Sequence, residues 1–229
     1  MSQAAGVIFD MDGVLVDSAE AHRRAWEQLG NEIGVPFTAE MFRRTFGQRN
    51  ASIIPMWLER DVDADRVAAL GNRKEEIYRA LVRSGDVRIY RRIPDLLAEL
   101  RVAGARLAVA SSGPRANVDL LIEIMRANGM FDAVVASEDV VHGKPHPEPF
   151  ATAARRFDVD ARRCAVIEDS VHGIEAAKRA GMLAVAVLTS TPRPTLAAAG
   201  ADLFAAEVGE IEPDVLLKQL QTADGLGGC

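Results

Sequence analysis

The sequence predicts an α/β protein, with a doubly wound parallel-sheet core and an α-helical domain inserted near its start. Three observations carry this. Short apolar runs recur at Val7-Ile8-Phe9, Leu107-Ala108-Val109-Ala110, Ala133-Val134-Val135-Ala136, Ala165-Val166-Ile167 and Leu183 to Leu188. Runs without polar alternation read as strands buried on both faces, the pattern of parallel sheets. The later runs alternate with stretches of helical spacing, and such alternation builds βαβ units with helices on both sheet faces. From about residue 18 to residue 84 the chain instead reads as helix after helix, without a strand. The predicted division is 1–16 plus 88–229 for the core and 17–87 for the helical insertion. An insertion that leaves and returns by two neighbouring crossings can swing as a cap over a site.

Taken in order, Ser18 caps a helix expected to run to about Leu29 and to stop near Gly30. Thr38 before Ala39-Glu40-Met41 is a capping-box pattern, and Pro55 is expected in the first turn of a 52–60 helix. Asp63-Ala64-Asp65-Arg66 begins a long helix, and the insertion holds both tryptophans, Trp26 and Trp57, expected as its apolar core. In the core region, helices are predicted at 94–102, 114–127, 147–157, 172–180, 193–199 and 213–221, with a short strand at 202–204. Gly225 to Cys229 is expected to fray.

Composition narrows the function. The chain has 229 residues, 48% hydrophobic and 26% charged, as in ordinary globular proteins. A net charge of −6 offers no basic surface for nucleic acid and no polybasic membrane patch. Two cysteines, Cys164 within an apolar run and Cys229 at the end, make no disulfide framework and fit a reducing compartment. No apolar stretch reaches membrane-spanning length, and Met1-Ser2-Gln3-Ala4-Ala5 lacks the basic and apolar regions of a signal peptide. The expectation is a cytoplasmic protein with a small-molecule partner.

Four strand ends offer chemistry. In a strand, residues i and i+2 share a face, so Asp10 and Asp12 point the same way beyond the first run. Ser111, Ser112 and Gly113 follow the second run, where hydroxyl and backbone donors suit an anion. Lys144 lies in the connection His142-Gly143-Lys144-Pro145-His146-Pro147, and Glu168-Asp169 ends a later strand. Ligands of open parallel sheets bind beyond the carboxyl ends of strands. Four carboxylates without histidine or thiolate call for a hard cation, Mg²⁺ above all, which takes substrate phosphate as a further ligand. Each residue alone also fits a plainer role: Ser111 as a helix cap, Lys144 as a solvated loop lysine, Glu168-Asp169 as a turn.

Together, Asp10-x-Asp12-Gly13-Val14, Ser111, Lys144-Pro145 and Glu168-Asp169 resemble the four ordered motifs of the haloacid dehalogenase superfamily. The aspartate at position 12 resembles the phosphatase and phosphomutase branch, and the position of the helical insertion resembles the β-phosphoglucomutase-like subfamily with its Rossmann-like core. The resemblance implies that Asp10 is a nucleophile that forms an aspartyl-phosphate and also touches Mg²⁺. It implies that Asp12 is the general acid/base and a metal ligand through its backbone carbonyl. Asp169 would bind the metal, Glu168 would bind it or orient its waters, Ser111 would hold a phosphoryl oxygen, and Lys144 would offset charge.

In the insertion, Asp17-Ser18-Ala19-Glu20-Ala21-His22-Arg23-Arg24-Ala25-Trp26 is similar to the subfamily's first cap segment, which implies a substrate contact for His22. On its own, His22 fits a surface or packing role as well. Arg49, in Gly47-Gln48-Arg49-Asn50, is a candidate substrate contact, and Lys74 aligns with a cap lysine that touches substrate phosphate or stands as one charge on a solvated helix face. The chain departs from the mutases after the motif serine: their lysine–asparagine pair, which helps hold a second phosphate, is replaced by Pro114-Arg115. The resemblance therefore implies a Mg²⁺-dependent phosphatase of a small phosphate monoester such as a sugar phosphate, with a mutase as the alternative. A binding protein without turnover would be expected to lack Asp10, Asp12, Lys144 or Asp169, and all four are present.

Overall fold

A computed structural model describes residues 4–59 and 61–222. Residues 1–3 and the expected frayed tail with Cys229 lie outside the described residues. In chain order the elements are β1 (Gly6–Phe9), β2 (Val16–Asp17), α1 (Ala19–Ile33), α2 (Ala39–Thr45), α3 (Asn50–Leu58), α4 (Ala64–Arg83) and β3 (Arg88–Ile89). They continue with α5 (Ile93–Val102), β4 (Arg106–Ala110), α6 (Arg115–Ile124), β5 (Ala133–Val135), α7 (Glu148–Arg156), β6 (Cys164–Glu168) and α8 (Val171–Arg179). The chain closes with β7 (Leu183–Val187), α9 (Arg193–Ala198), β8 (Leu203–Ala205) and α10 (Pro213–Thr222). Two compact units result, Met1–Val16 with Ile89–Cys229 and Asp17–Arg88.

The first unit is built on a six-stranded parallel sheet ordered β5-β4-β1-β6-β7-β8. From β1 the chain next enters the sheet at β4, on one side; from β6 it proceeds to β7, on the other. The order therefore reverses between β1 and β6, and at such a point the two following loops diverge and leave a crevice. Alternation along the strands serves both faces. Ile8, Ala108, Ala110, Val166, Ala184 and Ala186 form one buried cluster with Phe150 and Ala153 of α7 and Ile174 and Ala177 of α8. Helices α5 and α10 pack on β4 and β6 and against each other, with Leu96, Leu97, Leu100 and Leu216 buried. Small alanines on the α7–α8 face let the helices approach the sheet closely.

In the second unit α1 packs along α4, and α3 also packs on α4. Trp26, Phe37 and Trp57 form its aromatic center: Trp26 stacks on Phe37 at 4.8 Å, and Trp57 meets Phe37 edge-on at 5.2 Å. Trp57 Nε1 donates to the Pro36 carbonyl at 3.0 Å, which satisfies the polar end of the ring. Thr38 Oγ1 accepts from Met41 N at 3.1 Å and caps α2, but Met41 at the third position has no carboxylate to complete a box.

Several sequence expectations are corrected. Helix α1 runs on to Ile33 and is ended by Gly34 in the left-handed region; Gly30 lies inside it, where a Cβ would come within 2.6 Å of the Val35 carbonyl oxygen. That glycine serves close packing, not termination. Helix α3 starts at Asn50, so Pro55 falls in its interior instead of its first turn. Helix α6 ends at Ile124, before Asn128-Gly129, because Arg126 turns to φ 55. The crossings β2 and β3 pair as a separate two-stranded sheet, which two-residue segments without periodicity did not announce.

Candidate active site

Asp10 stands one residue beyond β1, and its backbone N–H donates to the Ile167 carbonyl of β6 at 3.0 Å. The ladder of β1 and β6 thus carries the first carboxylate to the edge of the crevice, beside Glu168 at the last position of β6. Lys144 reaches in from the loop before α7; its Nζ donates to Asp10 Oδ1 and to Glu168 Oε1, the latter at 2.7 Å. This ammonium is nearly sealed from water, with Phe150 beneath it at 5.0 Å. The plain reading of Lys144 as a solvated lysine is excluded by this burial. The loop is shaped by Glu148, whose carboxylate accepts from Val141 N and His142 N, each at 2.9 Å. Those two donors hold the Glu148 carboxyl below the usual carboxylate range.

Glu168 Oε2 accepts from Asp169 N at 3.0 Å, Ser170 N at 3.0 Å and Ser170 Oγ at 2.9 Å. Ser170 in turn caps α8, accepting from Gly173 N at 3.0 Å. A Cβ on Gly173 would lie 1.8 Å from Glu168 Cδ, so the close approach of α8 requires glycine. Gly13 is constrained twice: its φ is 83, and a Cβ there would lie 1.9 Å from Asp169 Oδ2.

Asp10, Glu168 and Asp169 are all buried, and each offers an oxygen within 4.8 Å of the others. Burial pushes the Asp10 carboxyl up to about 7 against the pull of Lys144, with Glu168 and Asp12 adding repulsion. Burial, then the neighbouring Glu168 and Asp10, drives Asp169 well above the ordinary carboxyl value. Burial opposes the charge on Lys144, yet Asp10 and Glu168 outweigh it and hold the ammonium above the ordinary lysine value. One cation does not balance this group, and Asp169 Oδ2 is buried with no hydrogen-bond partner. A buried orphan oxygen beside two more carboxylates, all hard donors, fits a divalent cation such as Mg²⁺. Asp12 is half-buried and lies outside the three-carboxylate group.

Ser111, at the end of β4, is buried; its N–H donates to the Val135 carbonyl and its Oγ accepts from Gly113 N, both at 3.0 Å. The Gly113 N–H is therefore turned onto Ser111, while Ser112 is half-buried beside it. Arg115, one residue past Pro114, is bound elsewhere: its guanidinium contacts Asp139 at 2.6 Å and the Val134 carbonyl at 2.9 Å. Its N–H is taken by the Glu138 carboxylate.

In the second unit His22, Lys74, Glu75 and Asn50 form a connected cluster. Lys74 Nζ lies 2.7 Å from His22 Nδ1 and 2.9 Å from Glu75 Oε1, and Asn50 Nδ2 donates to that same oxygen at 2.7 Å. His22 stacks on Tyr78 at 3.9 Å. Lys74 is 2% exposed, which rules out the solvated-face reading. An ammonium can only donate, so His22 Nδ1 accepts and the ring proton is assigned to Nε2. Arg49 is half-buried and sits at the N-cap of α3.

Sequence reasoning missed a fifth strand end. After β7, Thr189 Oγ1 donates to the Gly13 carbonyl at 2.5 Å and Ser190 Oγ to the Asp169 carbonyl at 3.0 Å. Three consecutive hydroxyl residues, Thr189-Ser190-Thr191, directly after a buried strand were the available signal.

In chain order, the first, second and fourth strands of this sheet lead into Asp10, Ser111 and Glu168-Asp169, and Lys144 comes from the connection after the third. The profile of the haloacid dehalogenase-like hydrolases matches residues 4–181, and a second profile of the same kind matches 141–223. This chain belongs to that family. It is 31% identical over 226 residues to validoxylamine A 7'-phosphate phosphatase of Streptomyces hygroscopicus subsp. limoneus, covering 93% of this chain and 92% of the relative. It is 32% identical over 216 residues to β-phosphoglucomutase of Bacillus subtilis, covering 92% of each. Among solved structures, CbbY from Rhodobacter sphaeroides in complex with phosphate superposes with a TM-score of 0.82 at 30% identity, covering 91% of this chain and 96% of that one. The relatives are thus phosphatases and a phosphomutase. Among the described residues, no helix is long and apolar enough to cross a membrane.

Proposed function

We propose that this chain is a Mg²⁺-dependent phosphatase of a small phosphate monoester, a sugar phosphate by class, working through an aspartyl-phosphate on Asp10. The observation that carries the reading is the buried group Asp10–Lys144–Glu168 with the orphaned Asp169 Oδ2. Asp10, Asp169, Glu168 and the Asp12 carbonyl would hold the cation. When bound, it supplies Lewis-acid neutralisation of phosphate and keeps the carboxylates ionised.

An oxygen of Asp10 attacks phosphorus in line while the bond to the alcohol oxygen breaks, and the Asp12 carboxyl gives its proton to that oxygen. The Asp12 carboxylate then takes a proton from water, whose oxygen attacks phosphorus, freeing phosphate and regenerating Asp10. Lys144 stabilises the charge that builds on the phosphoryl oxygens, and the Ser111 hydroxyl positions one of them. Ser112 and Gly113 are assigned to the same phosphoryl group. His22 and Arg49 are assigned to the alcohol portion; with Lys74 enclosed by His22 and Glu75, its part is to hold His22.

A mutase is the second reading, supported by the relative from Bacillus subtilis and the His22–Lys74 pair. Against it, Pro114 has no cation to offer a second phosphate, and Arg115 is occupied by Asp139 and the Val134 carbonyl. The deciding experiment is product analysis with β-glucose 1-phosphate and a catalytic amount of the 1,6-bisphosphate. Free phosphate with little isomerisation is expected; glucose 6-phosphate accumulating many turnovers ahead of phosphate would make the chain a mutase. A panel of sugar phosphates scored for phosphate release identifies the substrate.

A further inference from the structure

We infer that Thr189 and Ser190, the two hydroxyls beyond β7, are positioning residues that set the affinity of the carboxylate group for its divalent cation. The inference rests on the metal-site reading above and adds residues that none of the four motifs contains. Three observations carry it. Thr189 Oγ1 donates to the Gly13 carbonyl at 2.5 Å, in the turn that follows Asp10 and Asp12. Ser190 Oγ donates to the Asp169 carbonyl at 3.0 Å. The two turns so bound are pressed together, since Gly13 leaves less than a methyl group of room beside Asp169 Oδ2.

Neighbouring residues of one rigid strand end therefore grip the backbones of two loops that both supply candidate ligands. β7 is well suited to this, being buried and paired with β6 on one side and β8 on the other. Its register is fixed independently of any ligand. Without the hydroxyls, each loop loses its anchor on this side, while Asp169 Oδ2 still repels its carboxylate neighbours. Relaxation would carry Asp169 away from Asp10, widening a site meant for a cation that demands short, regular bonds. Outer partners of this kind typically change metal affinity by about 10- to 100-fold.

The test uses the full chain, stripped of divalent ions and titrated with Mn²⁺, with free Mn²⁺ read by electron paramagnetic resonance. Ser190→Ala should raise the Mn²⁺ Kd about tenfold or more, Thr189→Val should raise it in the same direction, and Ser190→Thr should restore most of the loss. Asp169→Asn serves as the reference for loss of a ligand. An unchanged Kd in both hydroxyl variants, with binding lost in Asp169→Asn, would overturn this inference and leave the metal site standing. Absence of Mn²⁺ binding in the unaltered protein would instead overturn the metal reading itself. Circular dichroism checks the fold; if Ser190→Ala does not fold, Thr189→Val and Ser190→Thr decide, and wild-type affinity in Thr189→Val then refutes the inference.

Discussion

Each unit buries a lysine against a carboxylate, but the two clusters are built to opposite ends. In the second unit, the Lys74 ammonium meets the Glu75 carboxylate, with a neutral amide, Asn50, and an imidazole, His22, in the same cluster. There a single carboxylate oxygen, Glu75 Oε1, accepts from both the ammonium and the amide. In the first unit, Lys144 faces Asp10 and Glu168 at once, with Asp169 alongside, and an oxygen is left without a partner. Burying a charge without compensation costs several kcal/mol, so a fold keeps such an imbalance where a ligand completes it. A lysine's burial alone therefore says little; the surplus of one sign beside it distinguishes chemistry from scaffolding.

The largest expected break in this contrast is Asp10→Asn. Turnover should fall by about 10⁵-fold or more, the scale on which covalent nucleophiles matter, whereas Asp12→Asn should cost roughly 10²- to 10⁴-fold. Rates of phosphate release measure both. A crystal structure with a beryllium or aluminium fluoride should place the phosphate mimic against Asp10. Contact with Asp12 or Asp169 instead would reverse the assignment.

Next comes removal of divalent ions. A chelator should abolish turnover, Mg²⁺ should restore it, and Ca²⁺ should not, because its looser coordination misplaces the nucleophile. The same additions leave the Lys74–Glu75 pair untouched, so Mg²⁺ should raise the thermal midpoint of the wild type but not that of Asp169→Asn. Full activity in chelator would end the comparison.

The clusters should also answer neutralisation with opposite signs. Glu75→Gln strands the Lys74 ammonium and should lower stability by about 3 kcal/mol or more. Asp169→Asn removes a carboxylate held among like charges, and in metal-free buffer it should raise the thermal midpoint. Scanning calorimetry of both variants in chelator reads the two signs side by side.

A third, more open cluster supplies the smallest effect. Hydrogen bonds from Arg156, then from the Ala136 backbone, together with the charge of Arg115, outweigh burial and hold the Asp139 carboxyl down at about 2. A carboxyl lowered on folding stabilises the fold fully above the unfolded value, about 3.9, and loses that contribution as pH falls through about 2. Asp139→Asn should cost about 1–3 kcal/mol at pH 6, and its gap from wild type should narrow steadily toward pH 2. A constant gap would remove Asp139 from the acid response.

What the sequence made legible follows from how local each signal is. Uninterrupted runs such as Leu107–Ala110 declare buried strands, and all five of the runs first identified are strands of the sheet. Asp10, Glu168 and Asp169 sit at strand ends, so knowing the strands located the group. Gly30 misled because an interior glycine required by the Val35 carbonyl looks the same as a helix stop. Lys74 could be read either as a phosphate contact or as one charge on a solvated face, because its counter-charge, Glu75, is adjacent in sequence, while Asn50 and His22 come from other helices. Thr189 and Ser190 carried a visible hydroxyl signal but no indication of their targets, more than 170 positions away for Thr189.

The Arg115 guanidinium ties α6 to the β5 backbone and to Asp139, in the segment that leads on to Lys144. Placing a mutase-like lysine–asparagine pair at positions 114 and 115 would remove that tie along with gaining a phosphate contact. That double substitution is therefore expected to lower the stability of this chain, because the β5 backbone and Asp139 both lose a charged donor.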